Sequence, residues 1–87
     1  MIADKHASLT ASDDAGISLM SAWHLRATTD LVVNIREVNA AGRIIVPLEA
    51  AAGKVIGNTY EHPLNSVGGN WYVEFISGTG RVTMSGR

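Results

Sequence analysis

Apolar and polar residues alternate one by one along much of this chain, and that alternation limits the fold more than any other feature of the sequence. A period of two places every second side chain on the same face, which is typical of a β-strand with one buried face. The clearest example is the segment 71–76, where Trp71, Val73 and Phe75 share one face. No segment of ten or more residues has helical periodicity. The sequence therefore predicts an all-β protein.

Turns rich in glycine and asparagine separate the predicted strands at intervals of about ten residues. The alternation predicts strands over 17–26, 30–38, 43–48, 54–56, 71–76 and 81–87. The segment 60–69 is predicted to be a long loop, and 77–80 a hairpin turn. Pro47 lacks a backbone donor, so we expect its strand to end there or to lie at a sheet edge. Six to eight short strands predict a small antiparallel β-sandwich of jelly-roll or Greek-key type, although a small barrel has the same strand spacing.

The start of the chain differs from the rest, since it is made mostly of small and polar residues. We expect residues 1–15 to form a polar N-terminal arm with at most a short strand near 7–10. Residues 16–87 then form the single β-sandwich domain. Such an arm either frays or docks on a neighbouring copy, and the sequence leaves both alternatives open.

The composition excludes several classes of protein. The chain has 87 residues, of which 46% are hydrophobic and 17% charged, so it is too apolar to be disordered as a whole. Its net charge of −1 provides no bulk positive charge for nucleic acid. It has neither an apolar run of membrane-span length nor the apolar core of a signal peptide, so we expect no membrane partner. It has no cysteine, which leaves oligomerisation as the means of stabilising a fold this small.

The residue types that carry chemistry are dispersed. His6, His24 and His62 lie far apart in the sequence, without the close spacing of a structural zinc site. The acidic residues are scattered over several segments, and no serine lies in the Gly-x-Ser-x-Gly turn that exposes a nucleophile. We therefore predict that the protein is not an enzyme and has no catalytic residues, cofactor or metal.

The two tryptophans allow two interpretations. Trp23 and Trp71 both occupy positions predicted to face inward, which favours a role in the core. The alternative is an exposed platform for stacking on sugar rings, formed by either tryptophan or by Tyr72. That arrangement would indicate a carbohydrate-binding or adhesion module. Such a module usually needs an exposed aromatic strip, and five aromatic residues in all are few to build one, which disfavours this alternative.

Four features in a fixed order carry a family resemblance. An opening strand with a large apolar residue spans 18–25, and a second strand ends in a glycine turn over 31–42. A third strand leads into a small-residue loop over 44–53, and a glycine-bounded aromatic strand spans 69–80. In this order, the segment from about residue 18 to the end resembles the small β-sandwich structural proteins of tailed phages, which are often head-decoration or head-fibre components.

The resemblance implies a non-catalytic virion structural protein, and a capsid decoration or cement protein in particular. Such a protein is made in the bacterial host cytoplasm and resides in the virion. It binds and stabilises the lattice of the major capsid protein, or contacts other virion proteins, as a homo-oligomer. The family favours a homotrimer. A tail, neck or fibre-base component is the alternative role, and a carbohydrate-binding or adhesion module is a further one.

Seven residues are the candidates for contact with such partners. Those in the N-terminal arm are Ile2, Leu9 and Asp13, and the apolar residues at outward strand positions are Met20, Val32, Ile45 and Ile76. A strictly one-sided sheet would have polar groups at those outward positions. The four apolar side chains therefore face either a second layer or an oligomer, or they are ordinary apolar surface.

Overall fold

The computed structural model of the protein describes residues 4–87 and places them in eight β-strands without a helix. In chain order the strands are β1 (Lys5–Leu9), β2 (Asp13–Asp14), β3 (Leu19–Ala27), β4 (Leu31–Glu37), β5 (Ile44–Ala50), β6 (Val55–Asn65), β7 (Trp71–Ser77) and β8 (Gly80–Gly86). The predicted all-β fold is therefore confirmed.

The strands form two antiparallel four-stranded sheets that pack face to face. The first sheet has the order β1-β8-β3-β6 and the second sheet the order β2-β7-β4-β5. Of the connections between these eight strands, the one from β4 to β5 stays within a sheet, whereas the others cross between the sheets. This is the strand order of an eight-stranded jelly roll, so the predicted sandwich is observed. The strand that contains Pro47, β5, is an edge strand, as predicted.

Alternate side chains from both sheets fill the space between them. In β4, the side chains of Leu31, Val33 and Ile35 are fully buried, and Glu37 continues the inward face. The first sheet contributes Met20, Trp23, Leu25, Val82 and Met84. Burial of each large apolar side chain stabilises the fold by roughly 1.5–3 kcal/mol. The core is therefore continuous between the sheets, and the turns lie at its two ends.

The segment predicted as a long loop, 60–69, is strand as far as Asn65. β6 pairs with β3 over residues 55–59 and again at Leu64 and Asn65. Residues 60–63 lie between these two paired stretches, at a register shift that matches an irregularity in β3. The alternation does not reveal this strand because a bulged edge strand lacks a continuous buried face.

The first fifteen residues are not separate from the sandwich in the part of the chain that the structure describes. β1 pairs with β8 in the first sheet, and Leu9 lies opposite Val82. β2 pairs with β7 in the second sheet. The polar sequence suits these strands because both lie at edges and keep most side chains exposed. The described part of the predicted arm thus contributes one edge strand to each sheet.

The predicted hairpin at 77–80 is a crossing between the two sheets. The strand before it, β7, belongs to the second sheet, and β8 belongs to the first. Gly78 has a φ of +84°, and a Cβ at this position would lie 1.8 Å from the carbonyl oxygen of Asp30. Only glycine fits there. Turn composition predicts a tight reversal, but it does not specify which sheet receives the next strand.

Candidate interaction surfaces

Three of the seven predicted contact residues face the core. Met20 is fully buried because the register of β3 shifts immediately after it, which reverses inward and outward positions. A register shift in the pair of β4 and β5 turns Ile45 toward the core and leaves Ile44 exposed. Leu9 is half-buried and packs against the core. The predicted outward orientation of Met20 and Ile45 is therefore wrong.

The other predicted contact residues do not form one surface. Ile76 is 54% exposed, and Val32 is half-buried close to it on the outer face of the second sheet. Asp13 is exposed on the edge strand β2 of the same sheet. Ile2 lies outside the described residues. Among the six candidates that the structure describes, Val32 and Ile76 are the neighbours in an accessible position.

Both tryptophans belong to the core, as their strand positions predict. Trp23 and Trp71 are buried. The Trp23 indole N–H donates to the Tyr60 hydroxyl at 2.8 Å, and that of Trp71 donates to the Leu64 carbonyl at 3.0 Å. These indoles are not available for stacking on a ligand. Of the three aromatic residues considered for stacking on sugar rings, Tyr72 is the one that remains accessible. It is half-buried on the outer face of the second sheet.

Two valines that the sequence did not single out form an exposed apolar group at one end of the sandwich. Val67 is 70% exposed in the turn between β6 and β7, and Val38 is 36% exposed directly after β4. The Val38 side chain packs against this turn, since a Cβ on Gly69 would lie 3.4 Å from Val38 Cγ1. We refer to Val38 and Val67 as the valine tip.

Buried polar groups hold the valine tip in place. The Glu37 carboxylate, only 9% exposed, accepts the backbone N–H of Val67 at 3.1 Å and the Arg43 Nε–H at 3.1 Å. The buried Ser66 hydroxyl accepts the backbone N–H of Val38 at 3.2 Å. Hydrogen bonds to a charged, shielded carboxylate are among the stronger ones in proteins. The tip is therefore held in place by hydrogen bonds within the chain.

The backbone of Val38 is strained. Its φ is +71°, in the left-handed region that β-branched residues rarely adopt. Such a conformation costs on the order of 1–3 kcal/mol and persists only where surrounding contacts enforce it. The sequence does contain one signal of this site, because Glu37 puts an acidic residue at an inward position of β4 where the apolar alternation ends.

Arg36 and Glu74 form an ion pair on the outer face of the second sheet. Arg36 donates through Nε to Glu74 Oε1 at 2.9 Å and through Nη1 to the Gly42 carbonyl at 2.8 Å, and the Asn34 amide reaches the same Glu74 oxygen at 3.3 Å. The Arg36 hydrogen bond, aided by that of Asn34, holds the pKa of Glu74 below its ordinary value. This network stabilises the charged form of the carboxylate.

Within residues 4–87, no group of three or more histidine or acidic side chains is placed to hold a metal ion. Over the same residues, there is no helix with the length and apolar character required to cross a membrane.

Comparison with known proteins identifies the fold class and no family. No protein-family model and no curated protein matches the chain significantly. A solved structure of Bacillus endospore appendages, described as a novel family of disulfide-linked pili, is similar with a TM-score of 0.55. The match covers 95% of this chain and 81% of that one, at 11% sequence identity. At this identity the likeness shows a shared β fold alone.

Proposed function

We propose that the protein is a non-catalytic structural component of a phage virion, a capsid decoration protein that binds the major capsid lattice as a homo-oligomer. The capsid setting comes from the family resemblance of the sequence. The observation that carries the proposal is the valine tip, where buried polar groups fix two exposed apolar side chains at one end of a rigid sandwich.

The tip supports a contact role because it is unfavourable for an isolated domain. Val38 has a strained backbone, and Glu37 is a carboxylate largely removed from water. An exposed valine gains stabilisation only when a partner buries it. Insertion of Val38 and Val67 into an apolar depression of a capsid subunit would supply that burial, and the preformed tip would lose little entropy on binding.

Two small side chains give weak affinity per copy, and oligomerisation compensates for this weakness. When one oligomer touches several lattice subunits, the later contacts form at high effective concentration and avidity rises without new contacts. A closed cyclic oligomer would also match a symmetry axis of the capsid. This mechanism needs no catalytic group.

Quantitative mass spectrometry of gradient-purified particles tests the assignment. The particles come from cultures of the host whose phage encodes this sequence. A copy number comparable to that of the major capsid protein is expected for a decoration protein. A few copies per particle would move the protein to the tail, neck or fibre base. Complete absence from particles would overturn the virion proposal.

The tip itself is tested with Val67→Asp. A charge at a buried contact is costly to desolvate, so we expect co-sedimentation with particles to weaken at least about tenfold. Val55→Asp is the matched control, because Val55 is 62% exposed and lies at the opposite end of the sandwich. Equal loss in both variants, or no loss in Val67→Asp, would remove the tip from the interface.

A second candidate is a subunit of a filament or fibre. One specific observation favours it: the edge strand β6 has eleven residues, and its outer side has no strand partner among the described residues. Exposed edges of this length are templates for pairing with another chain. Because the 87 residues contain no cysteine, they would have to associate without the disulfide links described for the structurally similar pili.

Electron microscopy of the concentrated protein separates the two candidates. Filaments that grow with protein concentration would favour the appendage role. Small closed oligomers of uniform size would favour the decoration role.

A further inference from the structure

One part of the outer face of the first sheet has hydroxyl, imidazole and guanidinium groups but no carboxylate. This part comprises the paired residues 5–9, 22–27, 55–59 and 81–86, which contain no aspartate or glutamate, and the exposed Glu61 lies further along β6. The polar side chains at outward positions include those of His6, Ser8, His24, Arg26, Arg81 and Thr83. We refer to these six residues as the basic face.

Two arginines lie side by side on this face. Arg26 and Arg81 are directly opposite each other on β3 and β8, and both are exposed. Neither takes part in an ion pair within residues 4–87, although Arg81 donates a hydrogen bond to the Ser8 hydroxyl. Like charges directly opposite each other destabilise a sheet. An anion bound between the two guanidinium groups would remove that repulsion.

The surface beside the arginines is concave. Two shallow depressions, of about 380 and 400 Å³, meet at His24. The imidazole of His24 lies over Gly57, where a Cβ would be 2.3 Å from His24 Cδ2. Glycine therefore lets the ring lie close to the sheet. His24 and Thr83 form the next outward pair after the two arginines, so the depressions and the charges are adjacent.

We propose that the basic face binds a carboxylated polysaccharide. Arg26 and Arg81 would hold a carboxylate, since the planar guanidinium matches it with paired hydrogen bonds. His24, Ser8 and Thr83 would exchange hydrogen bonds with sugar hydroxyls in the depressions, because imidazole and hydroxyl groups both donate and accept. The site is separate from the valine tip and does not depend on the capsid assignment.

The chemistry of the face favours this ligand over a protein or a nucleic acid. The centre of a protein interface usually has aromatic or other large apolar anchors. The exposed large apolar side chains of the first sheet, among the described residues, are Val55 at the margin of the basic face and Leu19 at the other end of β3. Duplex DNA needs many phosphate contacts to be held at physiological salt. This chain has a net charge of −1, and two arginines outside any ion pair on this face do not supply that many phosphate contacts.

Binding of the full chain to immobilised polygalacturonate tests the proposal, with neutral dextran and double-stranded DNA as parallel surfaces. We expect retention on polygalacturonate that weakens as salt rises, none on dextran and little on DNA at physiological salt. The double variant Arg26→Gln/Arg81→Gln should bind at least about tenfold more weakly, because it loses charge-assisted hydrogen bonds. Arg87→Gln is the matched control, since it removes one charge at the sandwich end and should bind like the wild type.

Three results would overturn the proposal. They are absence of binding to polygalacturonate, equal retention on DNA, and an unchanged affinity in the double arginine variant. A thermal melt of each variant shows that it is folded. The double variant should melt no lower than the wild type, because its substitutions relieve a repulsion.

Discussion

The two sheets of the sandwich differ in how their charged side chains are paired. The second sheet has two ion pairs: Glu74 binds Arg36 on the outer face, and Glu37 binds Arg43 at the end of β4. The first sheet has an ion pair at its margin, between the exposed residues Asp4 and Arg87, where little stabilisation is expected. At the end of β3 and the start of β8, Arg26 and Arg81 lie opposite each other, and neither is in an ion pair within residues 4–87.

This difference distinguishes charged side chains that stabilise the fold from the two arginines, which have no ion-pair partner within residues 4–87 and could bind a ligand. Glu37 and Glu74 of the second sheet accept hydrogen bonds from neighbouring backbone or side-chain donors, so their removal should weaken the protein itself. The arginines of the first sheet hold almost nothing within the chain, so their removal should affect binding and leave the fold intact. Substitutions on the two sheets should therefore have opposite effects on stability.

The largest effect is expected for Glu37→Ala. The change removes the acceptor for the Val67 amide and for Arg43 from a site that is 9% exposed. We expect the free energy of unfolding to fall by about 2 kcal/mol. Urea denaturation measures it, with Glu49→Ala as control, because Glu49 is exposed and belongs to no ion pair within residues 4–87. Equal losses in both variants would mean that Glu37 does not specifically support the tip.

A smaller effect is expected from the protonation of Glu74. Its pKa is lower in the folded protein than in the unfolded chain, so its contribution to stability is fully present above the ordinary glutamate pKa. That contribution is lost as the pH falls through the lowered pKa. At neutral pH, wild type should therefore melt higher than Glu74→Gln, and the gap should close under acidic conditions. Melting curves of both proteins from pH 7 downward check this, and a gap independent of pH would contradict the role of Arg36.

The strands that the sequence predicts well are those with one continuous buried face. β4 and β7 alternate without interruption over most of their length because each lies between two neighbours and packs on the core. β1 and β6 are edge strands, and their positions are set by backbone pairing with β8 and β3 rather than by their own side chains. Their sequences therefore lack the pattern on which the prediction relied.

Residue orientation is harder to predict than strand position, since one extra residue reverses every side chain that follows. The irregularities next to Met20 and Ile45 are of this kind, and they explain why two expected surface residues face the core. The candidate sites pose the same difficulty. The opposition of Arg26 and Arg81 depends on the register between two distant strands, and the shape of the tip depends on Ser66 meeting Val38. Neither relation can be derived from local pattern.

The smallest expected effect has the opposite sign and tests the comparison most directly. Arg26→Gln should raise the free energy of unfolding by about 0.3 kcal/mol, because it ends the repulsion with Arg81 across the strands. The gain should be largest at low salt and shrink as screening increases. Arg36→Gln is the matched substitution on the second sheet, and it should lower stability because it breaks the bonds to Glu74 and the Gly42 carbonyl. Thermal melts at two salt concentrations measure both variants. If both substitutions lower stability alike, the arginines of the first sheet support the fold, and the basic face loses its distinction as a surface kept free for a ligand.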